Sequence, residues 1–287
     1  MKRILIKFLI ALFFLSTELS FSQIKTDSSD QHKINYLKLS LVSGITAGGF
    51  IWGYAVQNNL WWKGDKSSFH FEWTHDWEYA LGEDKFGHFF FPYLVSNIYS
   101  QAFEWCGIDT AKSIWYASSF ALAYETFVEV RDGFSKQWGF SWGDFTADFL
   151  GSSLPVLQHH FPVLKNFNFK ISFYPSDRFK SGSNRVIFDD YESTYDWLSI
   201  NVYNFLSDDL KKYYPKFINF AIGHSVEKLD NNGGGNHRFY LALDWNLEGF
   251  PGDGWFLKLL KKYFNYYHFP SPAVQIYPHV IWYGIKF

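Results

Sequence analysis

Long uncharged apolar runs fill the first half of the chain, whereas apolar and polar residues alternate along the second half. Runs of that length are too long for strands, and they predict four helices at about 36–58, 85–105, 111–131 and 142–157. Gly107 and Gly133 are placed to end the second and third helices, and Ser141 can cap the fourth. Only the first run is long enough to cross a bilayer, and the shorter runs are typical of buried core helices.

After Pro162 the apolar residues recur with a period of two, and this alternation predicts strands at 198–205, 217–227, 237–247 and 280–287. The predicted fold class is therefore α+β, with an N-terminal bundle of about four apolar helices followed by a C-terminal antiparallel β-sheet. In the last strand Ile281, Tyr283, Ile285 and Phe287 are expected to share one apolar face. A terminal aromatic residue on such a strand is typical of outer-membrane barrels, so a partial barrel is the alternative to a sheet packed on helices.

The first residues have the pattern of a secretory signal peptide. Three basic residues precede the apolar run 8–15, and small residues stand at Ser20 and Ser22, which predicts a signal peptide over 1–22. No cysteine follows that run, so no lipoprotein anchor is expected. The rest of the chain is predicted to form a polar linker at 23–35, a helical domain at 36–165 and an antiparallel β region at 166–287. The signal peptide predicts export to the periplasm or outer membrane of a Gram-negative-type envelope.

Composition narrows the classes of partner. Aromatic residues make up 23% of the chain, with 33 Phe, 19 Tyr and 13 Trp. Rings in this number favour membrane lipid or envelope proteins as partners, and an aromatic-rich soluble core is the alternative. The formal net charge is −2 and no basic face is evident, so nucleic acid is excluded as a partner. Cys106 is the single cysteine, so the chain cannot form an internal disulfide, and its oligomeric state is left open.

Candidate chemistry lies in three of the predicted helices, where ionisable side chains stand one or two helical turns apart in apolar sequence. They are Asp84, His88, Glu125, Glu129, Asp132, Asp144 and Asp148. Spacings of four and seven place side chains on one face of a helix, so the three faces are expected to converge on one polar site. Burial of that many charges is costly unless they pair, share protons or bind a metal.

Roles for these residues follow from their chemistry. The sequence predicts His88, Glu125 and Asp132 as candidate catalytic residues, and the whole set of seven as candidate ligands of a divalent metal. Asp84 is expected to orient the ring of His88, as carboxylates do for metal-bound histidines. Lys85 or Arg131 could instead neutralise the acids in a purely structural salt-bridge network. The chain has no Glu-x-x-His pair, which argues against a ferritin-type di-iron site.

The order and spacing of these residues resemble a known family. The similar segments are Asp84-Lys85-x-x-His88, Glu125-x-x-x-Glu129-x-x-Asp132-Gly133 and Gly139-Phe140-Ser141-x-x-Asp144-x-x-Ala147-x-x-x-Gly151. They resemble the YfiM-like family of predicted periplasmic or outer-envelope proteins, a domain of unknown function, over about 61–158. Asp148 departs from the pattern, which would have asparagine there. A weaker similarity to VanZ-like membrane proteins is confined to the first of these segments. The resemblance implies location and fold, and no activity.

Two hypotheses about function remain open at this point. In one, the chain is a non-catalytic, membrane-associated structural or assembly component of the envelope, and the acidic and histidine cluster locks the helices together. In the other, it is a metal-assisted or acid–base hydrolase or transferase that acts on an envelope lipid or glycan. Because no Gly-x-Ser-x-Gly elbow or other recognisable nucleophile is present, the first hypothesis is favoured.

Overall fold

The structure, a computed structural model, describes residues 33–182, 190–230 and 233–287. The predicted signal peptide 1–22 and most of the predicted linker 23–35 lie outside these residues. The order of elements confirms the predicted α+β class, because the four long helices come first and a six-stranded antiparallel sheet follows them.

Four long helices form the N-terminal region: α1 (Tyr36–Leu60), α2 (Glu83–Trp105), α3 (Thr110–Asp132) and α4 (Trp142–His160). The N-termini of α1, α3 and α4 each have a side-chain cap. Asn35 accepts from Lys38 N, Asp109 accepts from Ala111 N and Lys112 N, and Ser141 accepts from Asp144 N. Only the Ser141 cap was predicted. The two-residue strands β1 (Phe71–Glu72) and β2 (Phe140–Ser141) pair in parallel beside α4.

The C-terminal region is a meander in which each strand pairs with the next one along the chain. Its strands are β3 (Phe167–Phe173), β4 (Thr194–Ile200), β5 (Ile218–Glu227), β6 (Asn236–Trp245), β7 (Ser271–Tyr277) and β8 (Ile281–Lys286). The helices α5 (Asp177–Lys180), α6 (Asp208–Lys211) and α7 (Trp255–Phe264) lie in the connections. Within the described residues the sheet is open, so it is not a closed barrel.

Two details of the predicted strands are corrected. The strand predicted at 198–205 is displaced, because the second half of that segment forms a 3-10 turn, Val202–Phe205. The predicted common face of β8 is also interrupted. Ser271 pairs with Lys286 while Ala273 pairs with Tyr283, so β8 carries one extra residue there. Such a bulge moves the later side chains to the other face of the sheet.

The two faces of the sheet differ in chemistry. The inner face buries small and polar residues with a few large rings, such as Trp197 and Tyr240. The opposite face exposes apolar side chains such as Phe220, Ile222 and Leu241. Among the described residues, more polar or charged side chains than hydrophobic ones are buried. Alongside its hydrophobic clusters, the interior is therefore unusually polar and the surface unusually apolar for a water-soluble protein.

α1 contributes most to that surface. Among the described residues it is the one helix long and apolar enough to cross a membrane, with a mean hydropathy of 1.4 and only 6% of its most apolar stretch buried. Its buried side chain, Val42, packs against Ala102 and Trp105 of α2. The rest of α1 presents large apolar residues outward, including Leu37 and Ile51.

α2 lies at the centre of the molecule, between the other helices and the sheet. Gly151 of α4 permits this packing, because a Cβ there would lie 2.0 Å from the carbonyl oxygen of Phe89. On the side toward the sheet, Phe89 and Phe169 have ring centroids 4.4 Å apart, and Tyr93 and Tyr266 have theirs 5.7 Å apart. The close approach of α2 to α4 positions the polar side chains that the two helices carry.

Candidate functional site

The helix packing brings together four of the predicted residues, namely His88, Glu129, Asp144 and Asp148. We call these four residues and the neighbouring Glu125 the His88 centre. His88 Nδ1 lies 3.1 Å from Asp148 Oδ1 and 3.8 Å from Glu129 Oε1. On the other side of the ring, Nε2 lies 4.0 Å from Asp144 Oδ2. The three helices α2, α3 and α4 therefore each supply at least one ionisable group. Asp148 and Glu129 are buried, whereas the side chain of His88 is 24% exposed.

Lys85 links this centre to a residue that the sequence did not single out. Its Nζ lies 2.9 Å from Asp144 Oδ1, 3.1 Å from Asp84 Oδ2 and 2.6 Å from Asp76 Oδ1. The first turn of α4 makes room for these groups, because a Cβ at Gly143 would lie 2.6 Å from Asp76 Oδ2 and 2.9 Å from Lys85 Cε. Asp76 lies in an aromatic loop with no helical spacing, which is why the sequence pattern did not reveal it.

The remaining predicted residues lie at the margins of the centre. Glu125 lies near enough to Asp148 and His88 for their charges to affect its ionisation. Asp132 accepts a 2.6 Å hydrogen bond from Trp62 Nε1 and has no direct contact with the ring of His88. Asp84 contacts Lys85, so the carboxylate that orients His88 is Asp148 instead. The metal and catalytic roles predicted for all of these residues stay predictions.

Burial raises the pKa of most acids in the cluster. It raises the pKa of Glu129 to about 9 and, with the charge of Asp148, that of Glu125 to about 8. Burial and the charge of Asp144 raise the pKa of Asp84 to about 7. Burial alone would lower the pKa of His88, but the charge of Asp144 and the hydrogen bond with Asp148 hold it well above its ordinary value. The centre therefore retains protons at neutral pH.

The charges of this region do not balance. Its carboxyl groups are Asp76, Asp84, Glu125, Glu129, Asp132, Asp144 and Asp148, and the cations near them are Lys85, His88 and Arg131. Protons or a divalent cation must compensate the excess of acid. One ligand atom from each of His88, Glu129 and Asp148 lies within 4.8 Å of the others. A Zn²⁺ ion sits about 2.0–2.2 Å from nitrogen and oxygen ligands, so small side-chain movements would close a shell around it.

A second polar cluster, the Glu83 cluster, joins the helices to the sheet. Glu83 is 1% exposed, and its Oε2 lies 2.7 Å from Nδ1 of His224 on β5. His224 Nε2 in turn lies 3.0 Å from His237 Nδ1 on β6. Burial raises the pKa of Glu83 to about 8, and burial together with Glu83 raises that of Asp196 well above its ordinary value. Consecutive left-handed residues, Ala80 and Leu81, precede Glu83 and turn it inward.

A third cluster, the Lys170 network, is sealed inside the sheet. Asp244 Oδ2 lies 2.7 Å from Lys170 Nζ and accepts a 2.6 Å hydrogen bond from Ser199, while Oδ1 lies 2.9 Å from His268 Nδ1. His268 Nε2 is 3.3 Å from Ser271 Oγ, an order of groups that resembles a hydrolase triad. However, Ser271 Oγ donates to the carbonyl oxygen of Leu243, and these groups are buried, so the network is structural.

Sequence reasoning missed the Glu83 cluster and the Lys170 network. Most of their members lie on different strands and meet only through sheet pairing, which places Asp196 opposite His224 and Asn219 opposite Asp244. The one local signal was the presence of Lys170, Asp196 and Asp244 at interior positions of apolar strands.

Comparison with known proteins supports the envelope location. A family model described as "Predicted periplasmic lipoprotein (DUF2279)" matches residues 72–160, which is less than half of the chain. That segment is similar to the family and contains the whole His88 centre. The description agrees with the predicted export to the envelope. No curated protein matches the chain, and no solved structure matches it. The names YfiM-like and VanZ-like stay predictions.

Proposed function

We propose that this chain is a membrane-associated, non-catalytic component of the cell envelope in which a divalent cation locks three helices together. The observation that carries the proposal is the convergence of His88, Glu129 and Asp148, one from each helix, within 4.8 Å in a region with excess acid. The cation would be held by His88 Nδ1 and the two carboxylates. His88 Nε2 would then point its proton at Asp144, the kind of outer contact that orients metal-bound histidines.

The membrane is the partner that the surface suits best. α1 and the sheet face that carries Phe220, Ile222 and Leu241 expose large apolar side chains, and α1 has the length of a membrane span. An exposed apolar surface of this extent is costly in water and favourable against lipid. The match to a family described as periplasmic lipoproteins supports a location in the cell envelope.

Elemental analysis tests the cation. Full-length protein purified from membranes without chelator should contain about one equivalent of a divalent metal, and Glu129→Gln should contain none. Glu78→Gln is the matched control, because Glu78 is exposed and its ionic partner among the described residues is the exposed His75. A metal content equal in wild type and Glu129→Gln would refute the assignment of the ligands.

Membrane fractionation tests the partner. Replacing Leu37, Leu41 and Ile51, which are 82%, 45% and 69% exposed, with serine should move the protein from the membrane fraction to the soluble fraction. Leu210→Ser is the control, because Leu210 is 56% exposed on α6, away from α1. A wild-type protein found wholly in the soluble fraction would contradict membrane association.

A second function is favoured by one observation, the 24% exposure of the His88 side chain and the 12% exposure of that of Asp144. This opening would let a substrate reach the cation, as a hydrolase or transferase acting on an envelope lipid or glycan requires. Incubation of metal-loaded protein with envelope lipids and glycans should then yield products that His88→Gln does not form, and an absence of products from wild type would end this candidate.

A further inference from the structure

A polar cavity opens at the end of the sheet where β4 leads into β5 and β6 leads into β7. Its volume is about 320 Å³, which lies in the range of small-molecule sites. Half of its lining residues are asparagines: Asn168, Asn201, Asn204, Asn246 and Asn265. Within the described part of the chain no aliphatic side chain lines it, and none of its residues belongs to α2, α3 or α4. It is therefore separate from the His88 centre.

Three of the amide groups of this cavity, those of Asn204, Asn246 and Asn265, are already held in place by hydrogen bonds. Asn265 Oδ1 accepts hydrogen bonds from Lys170 Nζ at 3.2 Å and from Leu247 N at 2.9 Å. Asn204 Nδ2 donates to Asn166 Oδ1 at 2.7 Å, and Asn246 Nδ2 donates to the carbonyl oxygen of Lys216 at 3.3 Å. The Lys170 network thus anchors one wall from behind. Side chains fixed before binding lose little entropy when a ligand arrives.

One acceptor in the wall lacks a partner. Asn201 Oδ1 is buried without a hydrogen-bond donor, a state that costs free energy unless a ligand or water supplies a proton. Each amide also offers both donor and acceptor groups, which together suit adjacent hydroxyl groups. Tyr203 adds a ring whose face can cover the C–H side of a sugar.

The charges of the lining select among such ligands. Lys165 and Lys216 stand against a single acid, Glu248, so the cavity carries a net positive charge. Lys216 Nζ lies 5.3 Å from the ring centroid of Tyr203, which places the positive charge beside the aromatic face. We propose that this cavity binds a saccharide bearing one acidic group.

The saccharide has two possible sources, a free sugar and the headgroup of a lipid. Exposed apolar residues at the same end of the sheet would suit the lipid. Phe161, Phe205 and Tyr213 are 57%, 53% and 88% exposed. The proposal is independent of the proposed cation, because the cavity shares no residue with the His88 centre.

Calorimetric titration of the full chain in detergent tests the proposal with three probes. They are free glucuronic acid, vesicles containing glucuronosyl diacylglycerol, and vesicles containing glucosyl diacylglycerol. Asn201→Ala and, separately, Lys216→Gln should each weaken binding of the acidic sugar at least tenfold. Asn236→Ala, an exposed asparagine at the opposite end of β6, should change it less than twofold. Lys216 is exposed, so its variant keeps the test valid if Asn201→Ala fails to fold.

Saturable binding of free glucuronic acid, weakened by both Asn201→Ala and Lys216→Gln, supports a site that needs no lipid. Binding only to the glucuronosyl vesicles, weakened in the same way, supports the site with a lipid headgroup as its source. Equal affinity for the glucosyl and glucuronosyl vesicles would overturn the requirement for an acidic group. Absence of saturable binding to all probes, or binding that Asn201→Ala and Lys216→Gln leave unchanged, would overturn the proposal.

Discussion

The His88 centre and the Lys170 network are both polar clusters inside the molecule, and they differ in charge balance. In the Lys170 network one cation faces one carboxylate, and Ser199 and His268 satisfy the remaining lone pairs of Asp244. In the His88 centre several acids surround His88 and Lys85, and an oxygen of Asp148 is buried without a donor. The charges of the first cluster balance without a ligand, whereas the second needs protons or a cation to exist in the folded chain.

The pKa values of the buried acids differ between the two clusters in the same way. Burial alone would raise the pKa of Asp244, yet the hydrogen bond from His268 and the charge of Lys170 hold it below its ordinary value. Burial raises the pKa of Glu129 to about 9, because the charge of His88, 3.8 Å away, offsets the effect of burial only in part. A buried acid with a lowered pKa is paired, and one with a raised pKa is available to a metal once its proton leaves.

Replacement of Lys170, the side chain that balances the charge of Asp244, should produce the largest loss of stability. Lys170→Met leaves the charge of Asp244 buried without its lysine counter-ion, so the free energy of unfolding should fall by about 3–5 kcal/mol. Denaturant unfolding in detergent measures this loss. Lys258→Met is the control, because Lys258 forms an exposed ion pair with Asp253, and its loss should cost less than about 1 kcal/mol. Equal losses in the two variants would show that the network is not essential to the fold.

The next-largest effect should be a change in how the free energy of unfolding of the metal-free protein depends on pH. The folded-state pKa of Glu129 is about 9 against an ordinary value of 4.5, so the folded chain keeps a proton that the unfolded chain has released. Its contribution to stability therefore falls as the pH rises between these two values. Between pH 6.5 and 8, Glu129→Gln should reduce the downward slope by up to about 1.4 kcal/mol per pH unit.

The slope of Glu129→Gln is compared with that of wild type because other groups also titrate in this pH range. Burial lowers the pKa of Lys286 to about 7, which acts in the opposite direction but equally in both proteins. Unfolding curves at several pH values, recorded with chelator present, give the two slopes. Identical slopes would mean that Glu129 is ionised in the folded protein.

The smallest effect is the stability of Glu129→Gln without metal at about pH 4, where the acid is protonated in the folded chain and largely protonated in the unfolded chain. Glutamine resembles the protonated acid and retains an oxygen to accept from Ser141 N, which donates to Glu129 Oε2 at 3.0 Å. The free energy of unfolding should therefore change by less than about 1 kcal/mol. A loss as large as that expected for Lys170→Met would show that Glu129 carries a charge that the fold requires.

The sequence predicted the two clusters unequally. Helical spacing revealed His88, Glu129, Asp144 and Asp148, because a helix places residues four apart on one face whatever surrounds it. Asp76 and the Lys170 network were not predicted, since their contacts depend on loop geometry and on strand pairing. The bulge in β8 could not be predicted either, because alternation along one strand does not reveal an extra residue against its partner.

Proton release on metal binding tests the central claim most directly. At pH 7 the raised pKa values keep His88 doubly protonated and Glu129 protonated, and each must lose one proton to become a ligand. Titration of chelator-treated protein with Zn²⁺, in buffers of different ionisation enthalpy, counts the protons. Binding of one ion should release about two protons from wild type. Binding without proton release, or no binding of the ion, would contradict the account.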